Sequence, residues 1–404
     1  MIKKSKLFKN LLTTVSTLAV ITTAANAYAT LDSDDLYNRG IASKSPKLQA
    51  EAANILLAAG PKGLEDAIKR LTPTETPILA DLTRDISSNI VANRIGGRPQ
   101  VLDHKAELAS TGNSGLSAGD YTTAYGIWTN PSMLKVKQKT SKGAAGYTAS
   151  VGGASLGFDT KANEDMVIGL ALSYLNTNVK HKDFKSGDKT KVDSLMLSIY
   201  GLQQITDNWY THGIVTVGAN KVKTKEARRT GATATATELA TGNYRAMSFS
   251  GELMLGYNSY MKQASFTPMA GVRVTKVNSA GYTETGTTNQ NLIISRKELN
   301  RVELVAGARL YGSDYVMNGL TVLPEIHGFV NHDLIGKKQK SDVRLTSVED
   351  YLRTKGGKPA KTLFNAGLSL NTSYNKMEYG LGYDAHMAKK YVAHQANLRV
   401  RVNF

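Results

Sequence analysis

The chain has 404 residues, no cysteine, 36 glycines, 19 tyrosines against 8 phenylalanines, and a formal net charge of +17 from 50 Lys and Arg against 33 Asp and Glu. The missing thiols exclude a disulfide framework and cysteine-held metals, and 41% apolar residues exclude a disordered chain. So basic a balance points to nucleic acid, anionic lipid or polysaccharide, and the compartment has to decide among them.

The first residues indicate export. Lys3, Lys4, Lys6 and Lys9 form a positive start, Leu11 to Ala25 is apolar but diluted with Thr and Ser, and Ala25-Asn26-Ala27 supplies a small-x-small cleavage pattern. Residues 1–27 therefore read as a secretory signal peptide with Ala25 and Ala27 at the cleavage site. The stretch is short and threonine-rich against the ~20 apolar residues of a membrane-spanning helix. No long apolar run follows, and the mean hydropathy is −0.27. A membrane form of this chain would have to cross as a barrel.

Residues 28–75 read as a short helical segment. Ser45-Pro46 starts one helix, which continues through LQAEAANILLAAG to a stop at Gly60, and GLEDAIKRL forms a second. Thr76-Pro77 opens a third helix over 76–98, with Thr as cap and Pro in the first turn. Leu79, Leu82, Ile86 and Ile90 share one of its faces. Gly96-Gly97 ends it, and the polar, turn-rich stretch 99–119 reads as a linker.

From residue 120 to 404 the hydrophobic period changes to two. Ile168, Leu170, Leu172 and Tyr174 alternate with Val167, Gly169, Ala171 and Ser173, and Ala270, Val272 and Val274 alternate with Gly271, Arg273 and Thr275. One face is apolar while charges recur on the other, as a lipid-facing wall and a polar lumen require. About twelve such segments start near residues 121, 145, 165, 191, 208, 244, 264, 298, 319, 361, 377 and 391. Short turns alternate with long connections near 133–144, 176–190, 221–243, 278–297 and 333–360. That asymmetry is the one expected of a bacterial outer-membrane barrel, with short periplasmic turns, long extracellular loops and both barrel ends in the periplasm. The last strand carries Leu398, Val400, Val402 and Phe404 on one face, which reads as an assembly signal for the barrel assembly machinery.

Several stretches resemble the autotransporter β-domain family. AYGIWTNP resembles its first strand, and GYTASVGGASLGFD followed by DMVIGLALSY resembles its second and third strands. SFTPMAGVRVTKVNSAGYTETG, LNRVELVAGARL and LTVLPEIHGFVNHDL resemble its later strands, and MEYGLGYDAHMAKKYVAHQANLRVRVNF resembles its terminal hairpin. The lysine-rich start is similar in style to rickettsial surface antigens. The resemblance implies an all-β, antiparallel transmembrane barrel of about 12 strands with an N-terminal α-helix plugging the lumen. It also implies a translocator that carries its own N-terminal segment to the cell surface. The helix over 76–98 takes the place of the plug, and Arg84, Asp85 and Arg94 are expected to meet Glu252, Glu325 or Arg273. A passenger is expected to be short here, and paired lumen asparagines for self-cleavage are missing, since Asn89 and Asn93 stand singly.

No P-loop, GxSxG, HExxH or EF-hand pattern is present, so neither an enzyme nor a cofactor is expected. His332-Asp333 and Asp384-x-His386 resemble rim pairs of outer-membrane proteases, but adjacent strand residues point to opposite faces. The expected loops are basic. Lys135, Lys137, Lys182, Lys185, Lys223, Arg228, Arg229, Lys337 and Lys338 are candidates for contact with lipopolysaccharide phosphates, outer-membrane lipid or host anionic glycans. Without interleaved aromatics they do not suit nucleic acid. An adhesin or surface antigen working through these loops is the second reading, and a small-solute pore the third.

Overall fold

The computed structural model describes residues 46–71, 79–81, 83–84 and 125–404, apart from 141–143, 234, 263, 314, 337–339, 347–351 and 356–359. The expected signal peptide with Ala25 and Ala27, most of the expected plug helix, the expected linker, and Lys337 and Lys338 lie outside the described residues.

The segment Pro46–Arg70 forms α1, broken at Gly60, whose φ is +67°. A left-handed residue ends a helix cheaply only when it lacks a Cβ, and the proline that follows suits the first turn of the next one. The break therefore falls at the expected stop.

Strands of alternating burial follow in chain order: β1 (Tyr125–Gln138), β2 (Tyr147–Asn163), β3 (Met166–His181), β4 (Lys189–Gln204), β5 (Trp209–Arg229) and β6 (Thr237–Tyr257). Then come β7 (Ser259–Met261), β8 (Ala264–Ser279), β9 (Tyr282–Thr283), β10 (Leu292–Ile294), β11 (Lys297–Gly312) and β12 (Tyr315–Met317). The chain ends with β13 (Leu320–Asp333), β14 (Lys340–Leu345), β15 (Leu352–Lys355), β16 (Thr362–Tyr374), β17 (Met377–Ala388) and β18 (Tyr391–Asn403).

Twelve of these pair antiparallel with their chain neighbours, and β1 pairs β18 to close the sheet into a barrel. β7 and β12 only lengthen two of the tight connections. At the opposite end β9, β10, β14 and β15 form a separate four-stranded sheet from the two longest connections. That sheet was not expected, because its strands are two to six residues long and carry too few alternations to read.

The strands also run further than the hydrophobic pattern suggested. β5 continues to Arg229 and β6 begins at Thr237, inside the stretch expected as a loop. On β5 the outward positions there are Lys221, Lys223 and Lys225 rather than apolar residues, so the period of two persists while its hydrophobic contrast vanishes.

Candidate functional site: the lumen, its mouth and the outer wall

The inner face is built from buried polar groups. Glu252 pairs with Arg273 and lies 3.6 Å from His212. Glu325 pairs with Arg309, His327 and Ser369, and His327 reaches Asp384 at 2.8 Å. Such buried charges are tolerated because each has an opposite partner. The expected partners of the N-terminal helix, Glu252, Glu325 and Arg273, are thus engaged by residues of the barrel itself. His332 and Asp333 sit on opposite faces of β13, with His332 bonded to Thr362 at 2.9 Å, and no protease-like pair forms there. Among the described residues, no group of three or more His, Asp or Glu is placed to hold a metal ion.

Near the seam a chain of hydrogen bonds crosses four strands. Trp128 Nε1 donates to Tyr200 Oη at 2.8 Å, Tyr200 donates to Asp159 at 2.9 Å, and Arg401 Nη1 donates to Asp159 at 2.6 Å. The space is made by Gly157, where a Cβ would stand 2.2 Å from the Trp128 ring. On the outside of the same seam Phe404 donates its N–H to the Tyr125 carbonyl at 3.0 Å and stacks on the Tyr125 ring. Leu398, Val400 and Val402 share that outer face.

The short helical stretch described at 79–81 and 83–84 lies against lumen-facing residues. Leu79 and Ala80 pack in one cluster with Val192, Val222, Tyr244, Ala246, Val277 and Leu299. Asp81 accepts from Arg301 at 2.7 Å and from Arg84 at 3.2 Å. The partner from the barrel is therefore Arg301, a residue the sequence reading did not select, and the acid that meets it is Asp81. A register map, rather than composition, would have placed Arg301 inward.

Upstream, α1 covers the mouth. Ala52, Ile55, Leu64, Ala67 and Leu71 pack on Leu292 and Ile294 of β10 and on Val343 and Leu345 of β14. The chain end of α1 is fixed by charge. Arg70 bonds Asp188 at 3.1 Å and the Ser186 carbonyl at 3.1 Å, while Arg228 donates to the Arg70 carbonyl at 3.0 Å. Arg228 also holds Glu226 at 2.7 Å and Glu284 at 2.9 Å, and Lys185 holds Glu226 at 3.1 Å. Burial, then the nearby Glu226 charge, pushes the Asp188 carboxyl up to about 6. Burial also raises Glu284.

This corrects the reading of two candidate cations. Lys185 and Arg228 are each 1% exposed and serve internal ion pairs, so they offer nothing to an external anion. Lys135, Lys137 and Lys223 are exposed but lie on the outer face of β1 and β5 rather than in loops. Lys182 is exposed in the β3–β4 connection, and Arg229 is half-buried at the end of β5.

The outer wall is apolar around the waist. Leu170, Leu172, Leu197, Ile199, Val215 and Val217 each expose two fifths or more of their surface there. Tyr125, Trp209, Tyr374 and Phe404 ring the end that carries the tight turns. Aromatic side chains settle at a membrane interface, and an apolar band ~25 Å tall matches the hydrocarbon core of an outer membrane. A closed antiparallel barrel, polar within and apolar outside, is an outer-membrane barrel.

The family model for the autotransporter beta-domain matches residues 127–384. The chain belongs to that family. Outer membrane protein B of Rickettsia conorii is 34% identical over 391 residues, covering 95% of this chain and 23% of that protein. Outer membrane protein A of the same organism is 33% identical over 333 residues, covering 80% of this chain and 16% of that protein. The chain thus spans under a quarter of the length of the curated relatives it matches. Among solved structures, the translocator domain of the autotransporter NalP from Neisseria meningitidis superposes with a TM-score of 0.56 at 16% identity, covering 79% of this chain and 98% of that one. The β domain of the Bordetella autotransporter Brka gives 0.50 at 13% identity, covering 70% and 100%. These likenesses establish the fold.

Proposed function

We propose that this barrel anchors its own N-terminal segment in the outer membrane and carries it to the cell surface. In this reading the turn end, with both barrel termini, faces the periplasm, the long connections face outward, and residues 76–98 thread the lumen. The observation that carries the reading is the path of the chain. Leu79 and Ala80 lie among inward-facing residues with Asp81 on Arg301, and α1, earlier in sequence, rests on the connections at the opposite end. Outer membrane proteins A and B of Rickettsia, which share this barrel, are the relatives whose names fit a surface role. Assembly would rest on recognition of Leu398, Val400, Val402 and Phe404 by the barrel assembly machinery, with membrane lipid as the surrounding partner.

A protease applied to whole cells tests the export step, with a tag placed at about residue 45. Cleavage of the tag from outside with the barrel left intact is the expected outcome. A protected tag, with only the long connections cut, would put the N-terminal segment in the periplasm and overturn the reading.

A further inference from the structure

The outer wall carries a feature that export does not use. On β1 to β6 the cross-strand register brings lysines into rows. Lys137, Thr148, Lys180, Lys189 and Lys225 are consecutive neighbours across five strands. One rung closer to the waist run Lys135, Ser150, Asn178, Lys191 and Lys223. The next rung holds Asp193, Lys221 and Arg245. All of these cations are exposed and point outward. Among the described outward positions of these six strands Asp193 is the single carboxylate, and it already accepts from Asn176 at 2.7 Å and Tyr174 at 3.2 Å.

Such rows oppose the sheet that bears them. Lys180 faces Lys189, Lys189 faces Lys225, and Lys191 faces Lys223 directly across the strands, and like charges so placed are destabilising. Neighbouring side chains stand ~5 Å apart across strands and roughly 7 Å apart along one, a spacing that phosphates bridge. The level of the rows identifies the occupant. Immediately below them the outward positions become Tyr174, Leu195, Ala219 and Met247, which begin the apolar band. The lysines therefore stand where lipid headgroups meet the wall at the loop end. The other half of the wall is different: the outward residues at the loop ends of β8 and β11 are Lys276, Asn278, Glu298 and Asn300.

We propose that the outer face of β1 to β6 is a docking site for a lipid headgroup bearing more than one phosphate, of the lipopolysaccharide type, in the leaflet at the loop end. The phosphates neutralise the lysine rows and fix one side of the barrel to the surrounding lipid. The inference is independent of whether the N-terminal segment is exported.

The test uses the full chain refolded in zwitterionic detergent micelles. Binding of a diphosphorylated lipid A, its monophosphorylated form and phosphatidylcholine is compared with that of heparin, for the parent and for Lys189→Gln/Lys191→Gln/Lys223→Gln/Lys225→Gln. A charge-matched control is Lys262→Gln/Lys361→Gln/Lys376→Gln/Lys389→Gln. The expected result is tightest binding of the diphosphorylated lipid by the parent. The row variant should lose at least ten-fold, since each lysine near an anionic surface contributes several-fold, while the control stays within two-fold. Heat-modifiable gel migration checks that each variant folds. In lipid-free micelles at low salt the row variant should unfold at a temperature no lower than the parent, because it has lost repulsion. Equal lipid binding by parent and row variant, or no preference for the second phosphate, overturns the proposal. Row-dependent binding of heparin without binding of the lipid overturns it in favour of a soluble polyanion.

Discussion

Removing one side chain, Arg228, should release α1 from the mouth while leaving the barrel closed. Its guanidinium donates to Glu226 at 2.7 Å, to both oxygens of Glu284 at 2.9 and 3.1 Å, and to the Arg70 carbonyl at 3.0 Å. Arg228→Met keeps much of the volume and removes every donor. Glu226 then retains only Lys185 among these partners, and Glu284 retains the Leu292 N–H. Stripping one partner from a buried ion pair costs ~3–5 kcal/mol. Lys185 and protonation of Glu284 offset part of that here, so about 3 kcal/mol is the appropriate figure. If half falls on docking of α1, local opening becomes roughly ten-fold more frequent, by 1.4 kcal/mol per decade. The assay is amide hydrogen exchange of residues 46–70 in the refolded protein, with β1 to β6 as the internal reference. Protection of α1 should fall in the variant while strand protection holds. Adding Glu226→Gln and Glu284→Gln to the same chain should restore part of it, because the two carboxylates that lost the guanidinium are then neutral. Unchanged protection of α1 in Arg228→Met would refute the claim that this ion cluster holds it.

Three other perturbations follow from the same geometry. Asp188, held at about 6 by burial and Glu226, binds its proton more tightly in the folded state than in the unfolded one. Its share of folding stability is therefore fullest below about pH 4 and is lost as pH rises through about 6. The temperature at which the heat-modifiable band converts should gain from this group between pH 7 and pH 5 in the parent, and Asp188→Asn should flatten that slope. Asp81→Ala leaves Arg301, which is 3% exposed, without its acid. It should loosen the segment at 79–84 and raise single-channel conductance in planar bilayers, an outcome read directly against the parent barrel. Gly157→Val drives a side chain into the Trp128 ring, whose atoms stand 2.2 Å from a Cβ built there. Overpacking of this kind costs typically 1–3 kcal/mol, and the heat-modifiable band should convert at a lower temperature than in the parent.

The barrel was legible because its physics is local. Lipid on one face and a polar lumen on the other impose a period of two, so strand starts read near residues 165, 208, 264, 377 and 391 fall within a residue of β3, β5, β8, β17 and β18. The break at Gly60 was legible for a similar reason, since glycine followed by proline ends one helix and begins another. The lysines misled. Lys135, Lys137 and Lys223 looked like loop residues because, beyond the apolar band, the outward position no longer has to be apolar, and hydropathy cannot see a strand that is polar on both faces. Lys185 and Arg228 looked exposed because a cation's surroundings are decided by its partners. Those partners, Glu226 and Glu284, come together only when two connections and α1 fold over the mouth.

The sequence by itself determined where the chain crosses the membrane and which face of each strand meets lipid, because burial in hydrocarbon is repaid residue by residue. Only the tertiary structure decided which charges pair across the lumen, that Arg301 rather than Glu252 meets the N-terminal segment, and that lysines far apart in sequence stand in rows. Those facts depend on register between strands, and register is settled by the closure of the whole sheet.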